Sequence, residues 1–116
     1  HEPSRRQRQM CIRDRVKAGL ESATRYLAKD CAEAGVRVNC ISAGVIKTSS
    51  AMAVKGAKGM LKWAEGVNPM KRNITLEDIA GSAYYFLSDL SSGVTGETHY
   101  VDCGYNIIGA PSIDDI

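Results

Sequence analysis

Two short β-branched runs, separated by a long stretch of helical pattern, constrain this chain more than any other feature. Val36-Arg37-Val38-Asn39-Cys40-Ile41 reads as a strand, and Ser42-Ala43-Gly44 breaks it at once. Thr98-His99-Tyr100-Val101-Asp102 reads as a second strand, ended by Gly104. Between them the apolar residues recur at helical rather than strand spacing. A connection of that kind joins parallel strands, since antiparallel neighbours can close through tight hairpins, and such crossovers are right-handed. The class is therefore α/β. Two strands make a poor sheet, and a parallel sheet needs both faces covered. The pattern amounts to about half of a doubly wound parallel-sheet domain.

The helices follow from spacing and caps. From Val16, the residues Leu20, Ala23, Leu27 and Cys31 share one face, and Gly35 stops the helix. Thr48 to Gly59 is rich in small residues and only weakly helical. Lys58 to Val67 carries a clearer stripe in Met60, Leu61, Ala64 and Val67, ended by Asn68-Pro69. Thr75 with Asp78 three residues later forms a capping box. The helix it opens aligns Leu76, Ile79, Ala80, Ala83 and Leu87, and Ser91-Ser92-Gly93 closes it. The last residues, 110–116, are polar and expected to fray.

Composition narrows the function classes. At 116 residues the chain suits one core, and 44% hydrophobic with 24% charged residues is the balance of a soluble globular protein. No apolar run could span a bilayer and no signal pattern opens the chain, so a cytoplasmic protein without membrane contact is expected. Of the net charge of +2, residues 1–15 supply +3 through five arginines against Glu2 and Asp14. That arm lacks interleaved aromatics, so a nucleic-acid partner is not expected. It shows no sustained period and no initiator methionine, and residues 1–15 read as a non-native or junction segment. Cys11, Cys31, Cys40 and Cys103 form no CxxC pair, and His1 and His99 stand at no ligand spacing, so reduced thiols and no metal are expected. The sequon at Asn73-Ile74-Thr75 reads as a chance triplet.

No phosphate-cradling GxGxxG or GxxxxGK[ST], no GxSxG elbow and no HExxH occurs. The best candidate site is the loop after the first strand, Ser42 to Ser50, because ligands of open α/β sheets bind beyond the carboxyl ends of strands. It offers small residues for close backbone approach and the hydroxyls of Thr48, Ser49 and Ser50. An ordinary connection is the competing reading.

These segments combine into a specific likeness. VKAGLESATRYLAKD followed by GVRVNCISAGVIKT resembles the stretch of short-chain dehydrogenases/reductases between the catalytic-lysine helix and the cofactor loop. NPMKRNITLEDIAGSAYYFLSDLSSGVTGETHYVDCGYNI, the Ser42-Ala43-Gly44 lead-in and Leu61-Lys62-Trp63 are similar to the enoyl-acyl-carrier-protein reductase branch. The resemblance covers residues 16–109 and implies the C-terminal part of a Rossmann-type domain. It implies reduction of the 2,3 double bond of an enoyl thioester in type II fatty-acid synthesis, with NADH, or alternatively NADPH, as cofactor. An acyl-carrier protein bearing the thioester and a homotetramer are the implied partners.

By the same resemblance Lys17 is the active-site lysine, holding the nicotinamide ribose and supporting a tyrosine that stabilises the enolate oxygen. Ile46, Lys47, Thr48, Ser49 and Ser50 match the segment that contacts the carboxamide and pyrophosphate. Ala51 and Met52 begin the segment, running to Gly59, that closes over the acyl chain. The family's tyrosine falls on Met10, which can neither donate a proton nor stabilise an enolate, so the chain alone is expected to be inactive. Val45 stands where a proline is usual and Cys103 where a glycine is usual. Another short-chain reductase acting on 3-oxoacyl thioesters, and a non-catalytic association module, are the alternatives.

Overall fold

The structure, a computed structural model, describes residues 5–53 and 55–108, with backbone alone for residues 5–14, 50 and 51. The tail expected to fray lies outside the described residues. The chain divides into two compact units, His1–Cys40 with Gly93–Thr98 and Ile41–Ser92 with His99–Ile116.

The first unit is built on helix α1, Arg5–Cys31, followed by a single 3₁₀ turn, Ala32–Ala34. Gly35 ends it with φ of 73°, a left-handed position that glycine takes without steric cost. The helix begins well before Val16, so the lack of helical period in residues 5–15 did not prevent helix formation. The expected apolar face is corrected too. Leu20 and Leu27 are 61% and 50% exposed, whereas Thr24 and Ala28 are each only 4% exposed. The buried stripe is therefore an i, i+4 pair of small residues. Its cause is close approach: a Cβ placed on Gly96 would lie 3.5 Å from that of Ala28, and Thr24 turns its hydroxyl inward to the Leu20 carbonyl at 2.8 Å.

Two strands, β1 (Cys40–Ala43) and β2 (Thr98–Val101), form a parallel pair. Cys40 N–H donates to the Glu97 carbonyl and Gly44 N–H to the Val101 carbonyl, each at 2.9 Å. Strand β1 starts later than expected and runs through Ser42 and Ala43 rather than breaking there. Residues 36–39 precede the strand and are tied to the partner segment by one backbone bond, Gly96 N–H to the Val38 carbonyl at 2.8 Å, and by side chains. Val38 N–H donates to Thr95 Oγ1 at 3.1 Å, and Asn39 Nδ2 donates to the Val94 carbonyl at 3.0 Å. Asn39 Oδ1 accepts from Glu97 N–H at 3.0 Å. The expected strand thus begins too early: the ladder starts at Cys40, not at Val36.

The second unit carries α2 (Ser49–Met52), α3 (Ala57–Val67) and α4 (Leu76–Leu87). The weakly helical stretch expected from Thr48 to Gly59 yields the single turn α2 and the first residues of α3. Helix α4 starts on the expected capping box: Thr75 Oγ1 accepts from Asp78 N–H at 3.2 Å, and Asp78 Oδ2 accepts from Thr75 N–H at 2.9 Å. Arg72 adds a 2.8 Å ion pair to the same oxygen. That hydrogen bond, seconded by the Thr75 N–H, holds the Asp78 carboxyl down at about 2 and raises the Arg72 guanidinium above its ordinary value.

The core of this unit includes Ala64 and Val67 from α3, Ile74 from the linker, and Cys103 from the turn after β2. On α4 the buried residue is Ser82, while Leu76 and Leu87 of the expected apolar face are exposed. Asn68 caps α3 through its N–H to the Ala64 carbonyl, and its Nδ2 donates to the Arg72 carbonyl at 2.8 Å. No described helix is long and apolar enough to cross a membrane.

Candidate functional site

The loop expected over Ser42 to Ser50 begins two residues late, Ser42 and Ala43 belonging to the strand, and the chain leaves β1 at its carboxyl end through Gly44. A side chain at this position has no room: a Cβ would sit 2.8 Å from both Cα and Cβ of Asp102. The loop then runs through half-buried Val45 and Ile46, exposed Lys47 and half-buried Thr48. The Thr48 carbonyl accepts from Met52 N–H at 2.8 Å, which turns the chain into α2, where Ser49 is exposed and Met52 half-buried. The side chains of Ser50 and Ala51 lie outside the described ones. Ile46 to Met52 are thus brought together in the second unit. Lys17 belongs to the first unit, exposed on α1.

What supports the loop was not singled out in the sequence. Asp102 is 7% exposed, and its carboxylate accepts four hydrogen bonds: Gly104 N–H at 3.0 Å, Asn106 N–H at 3.0 Å, and two from Asn106 Nδ2 at 3.1 Å. The spacing Asp-x-Gly-x-Asn was the available signal, since Asp side chains close turns on backbone donors just ahead of them. Reading Asp102 as the last residue of a strand hid it. Cys103 beside it adopts a left-handed φ of 55°, which agrees with the glycine usual there in the family resembled.

The loop lies where open α/β sheets bind their ligands. It places a tightly held backbone beyond a strand's carboxyl end, followed by a half-buried threonine hydroxyl. Among the described residues no group of histidine, cysteine or carboxylate side chains could hold a metal.

A cavity of about 640 Å³ in the second unit lies against α4, β2 and the Asp102–Asn106 turn. Ser82 Oγ and His99 Nδ1 meet there at 2.6 Å, with the Phe86 ring edge-on to the imidazole. A serine–histidine pair invites a nucleophile reading. Ser82, however, stands inside α4, where neighbouring amides serve the helix and give no oxyanion pocket. The pair ties β2 to α4.

Comparison with known proteins adds identity to this geometry. A family profile described as enoyl-(acyl carrier protein) reductase matches residues 6–106. The enoyl-acyl-carrier-protein reductase (NADH) FabI of Rickettsia typhi is 55% identical over 98 residues, which are 84% of this chain and 38% of that protein. The crystal structure of FabI from Candidatus Liberibacter asiaticus superposes with a TM-score of 0.77 at 49% identity, covering 83% of this chain and 37% of that one. The enoyl reductase of Anaplasma phagocytophilum in complex with NAD gives 0.76 at 44% identity, covering 84% and 35%. The chain spans less than two fifths of the length of these relatives, and its α/β fold with a parallel sheet is part of their Rossmann-type domain. With the profile matched across nearly all of its described residues, the chain belongs to the enoyl-(acyl carrier protein) reductase family.

Proposed function

We propose that this chain is the C-terminal portion of an NADH-dependent enoyl-acyl-carrier-protein reductase of type II fatty-acid synthesis, acting in the cytoplasm on enoyl thioesters carried by acyl-carrier protein. The observation that carries the reading is the family match over residues 6–106, joined to a loop held beyond the carboxyl end of β1 by the Gly44–Asp102 fit. Ile46 would offer backbone groups to the carboxamide, Thr48 its hydroxyl, and Lys47, Ser49 and Ser50 further polar contacts. Lys17 would hold the nicotinamide ribose, and Ala51 and Met52 would meet the acyl chain. The bound cofactor supplies hydride, with NADPH the alternative to NADH. Within the chain, residues 1–15 are proposed as junction sequence and 16–109 as the domain. Met10, at the family's tyrosine position, supports an inactive chain. Self-association, as a tetramer in the parent protein, is supported by the exposed stripe Leu76, Ala80, Tyr84 and Leu87 on α4.

The test is to read the coding DNA across the Met10–Arg15 junction, express the frame found, and follow NADH oxidation with a 2-enoyl and a 3-oxoacyl thioester. A tyrosine seven residues before Lys17 and turnover of the enoyl thioester are expected. Turnover of the 3-oxoacyl thioester alone would overturn the assignment.

A further inference from the structure

The turn Asp102–Asn106 touches the excursion from β1 through α2 and α3 at both of its ends. At the near end, Gly44 N–H donates to the Val101 carbonyl and the Gly44 Cα faces the Asp102 backbone too closely for any side chain. At the far end, Met70 N–H donates to the Cys103 carbonyl at 3.2 Å. There Gly104, at φ of 91°, lies against Pro69 so closely that a Cβ would sit 2.9 Å from its Cγ. One carboxylate shapes the turn that meets both ends. Its four accepted bonds all come from residues 104 and 106, so it fixes the turn without itself reaching residues 44 or 69.

We infer that Asp102 is a clasp: by locking the turn that abuts Gly44 on one side and Pro69-Met70 on the other, it sets the position of both ends of the segment 44–70 together. The segment holds Ile46 to Met52. That the clasp thereby positions cofactor and acyl contacts rests on the proposed function; the clasp itself does not. A charged acceptor is needed because every group facing it is a donor. The amide of an Asp102→Asn variant would keep one acceptor for Gly104 N–H and turn its own donors toward those of Asn106.

The experiment is amide hydrogen exchange on the full chain without cofactor, comparing Asp102→Asn and Asn106→Ala with the parent. For Asp102→Asn, exchange at Gly44 and Met70 is expected to rise about tenfold or more, the scale of a lost charge-assisted hydrogen bond. The α1 amides around Thr24 and Ala28 keep their rates. For Asn106→Ala, which removes the two side-chain donors and spares the backbone, the same two amides rise by less. Acceleration confined to residues 102–106 overturns the clasp. If Asp102→Asn loosens the whole chain, Asn106→Ala decides: a rise at both Gly44 and Met70 supports the clasp, and no rise at either overturns it. Because no cofactor is present, these outcomes stand apart from the enoyl-thioester assay.

Discussion

The two ends of the pairing between residues 36–44 and 94–102 are held by different means. At the start, Thr95 Oγ1 and the Asn39 amide add side-chain ties to two backbone bonds, Gly96 N–H to the Val38 carbonyl at 2.8 Å and Cys40 N–H to the Glu97 carbonyl at 2.9 Å. At the finish, Gly44 packs directly against the Cα and Cβ of Asp102, and its N–H donates to the Val101 carbonyl. A side-chain tie can be replaced by water or a neighbouring polar group, at modest cost. A backbone fit leaves no alternative geometry, because close-packed atoms on both sides must move. The candidate cofactor loop springs from the second kind of end.

The largest effect should therefore come from one methyl group. Gly44→Ala forces a Cβ to within 2.8 Å of Asp102 Cα. A loss of about 2–3 kcal/mol in urea unfolding is expected, the upper range for overpacking. An unchanged midpoint would show that the backbone end yields easily and would erase the contrast.

At the other end, Asn39→Ala removes a donor to Val94 and an acceptor for Glu97 N–H. Both bonds are neutral, the first part-buried and the second exposed, so about 1–2 kcal/mol is expected by the same measurement. A cost equal to that of Gly44→Ala would mean that the two ends do not differ in kind.

These two residues also mark what the sequence could and could not reveal. The α/β class and the capping box at Thr75 were legible because each rests on local chemistry: strand patterns parted by helical spacing, and a hydroxyl three residues before a carboxylate. The start of β1 was not, because Val36-Arg37-Val38 has strand chemistry whether or not a partner backbone lies opposite. The buried face of α1 was missed for a related reason. Leu20 and Leu27 promise burial by hydrophobicity, but contact with the Gly96 turn requires small residues, and Thr24 and Ala28 supply them. Asp102 was hidden because its role depends on what its turn abuts far away in sequence.

A third side-chain tie, the cap of α4, extends the comparison to a helix end. Thr75→Ala should cost about 1 kcal/mol, as for other N-caps. The same cap gives a pH signature through Asp78. Its carboxyl is held at about 2 against an ordinary 3.8 by Arg72 and the Thr75 N–H. A depressed carboxyl stabilises the fold fully above its unfolded value and loses that contribution as pH falls through its folded one. Circular dichroism should therefore show α4 helicity steady down to about pH 4 and weakening toward pH 2. Asp78→Asn should flatten that part of the acid profile.

The smallest effect is expected at Thr95. Its hydroxyl accepts from Val38 N–H at 3.1 Å, but the bond is exposed, so water can take its place in a Thr95→Val variant. A change within about 0.5 kcal/mol is expected. Its value lies in the double variant with Asn39→Ala. If residues 36–39 are held by independent ties, the two costs add. If the ties act as one network across Val94 to Glu97, the double variant loses more than the sum, because either tie alone still aligns the segment for the other. Additivity would make this end a set of replaceable contacts. Strong coupling would make it, like the Gly44 end, a fit without a ready substitute.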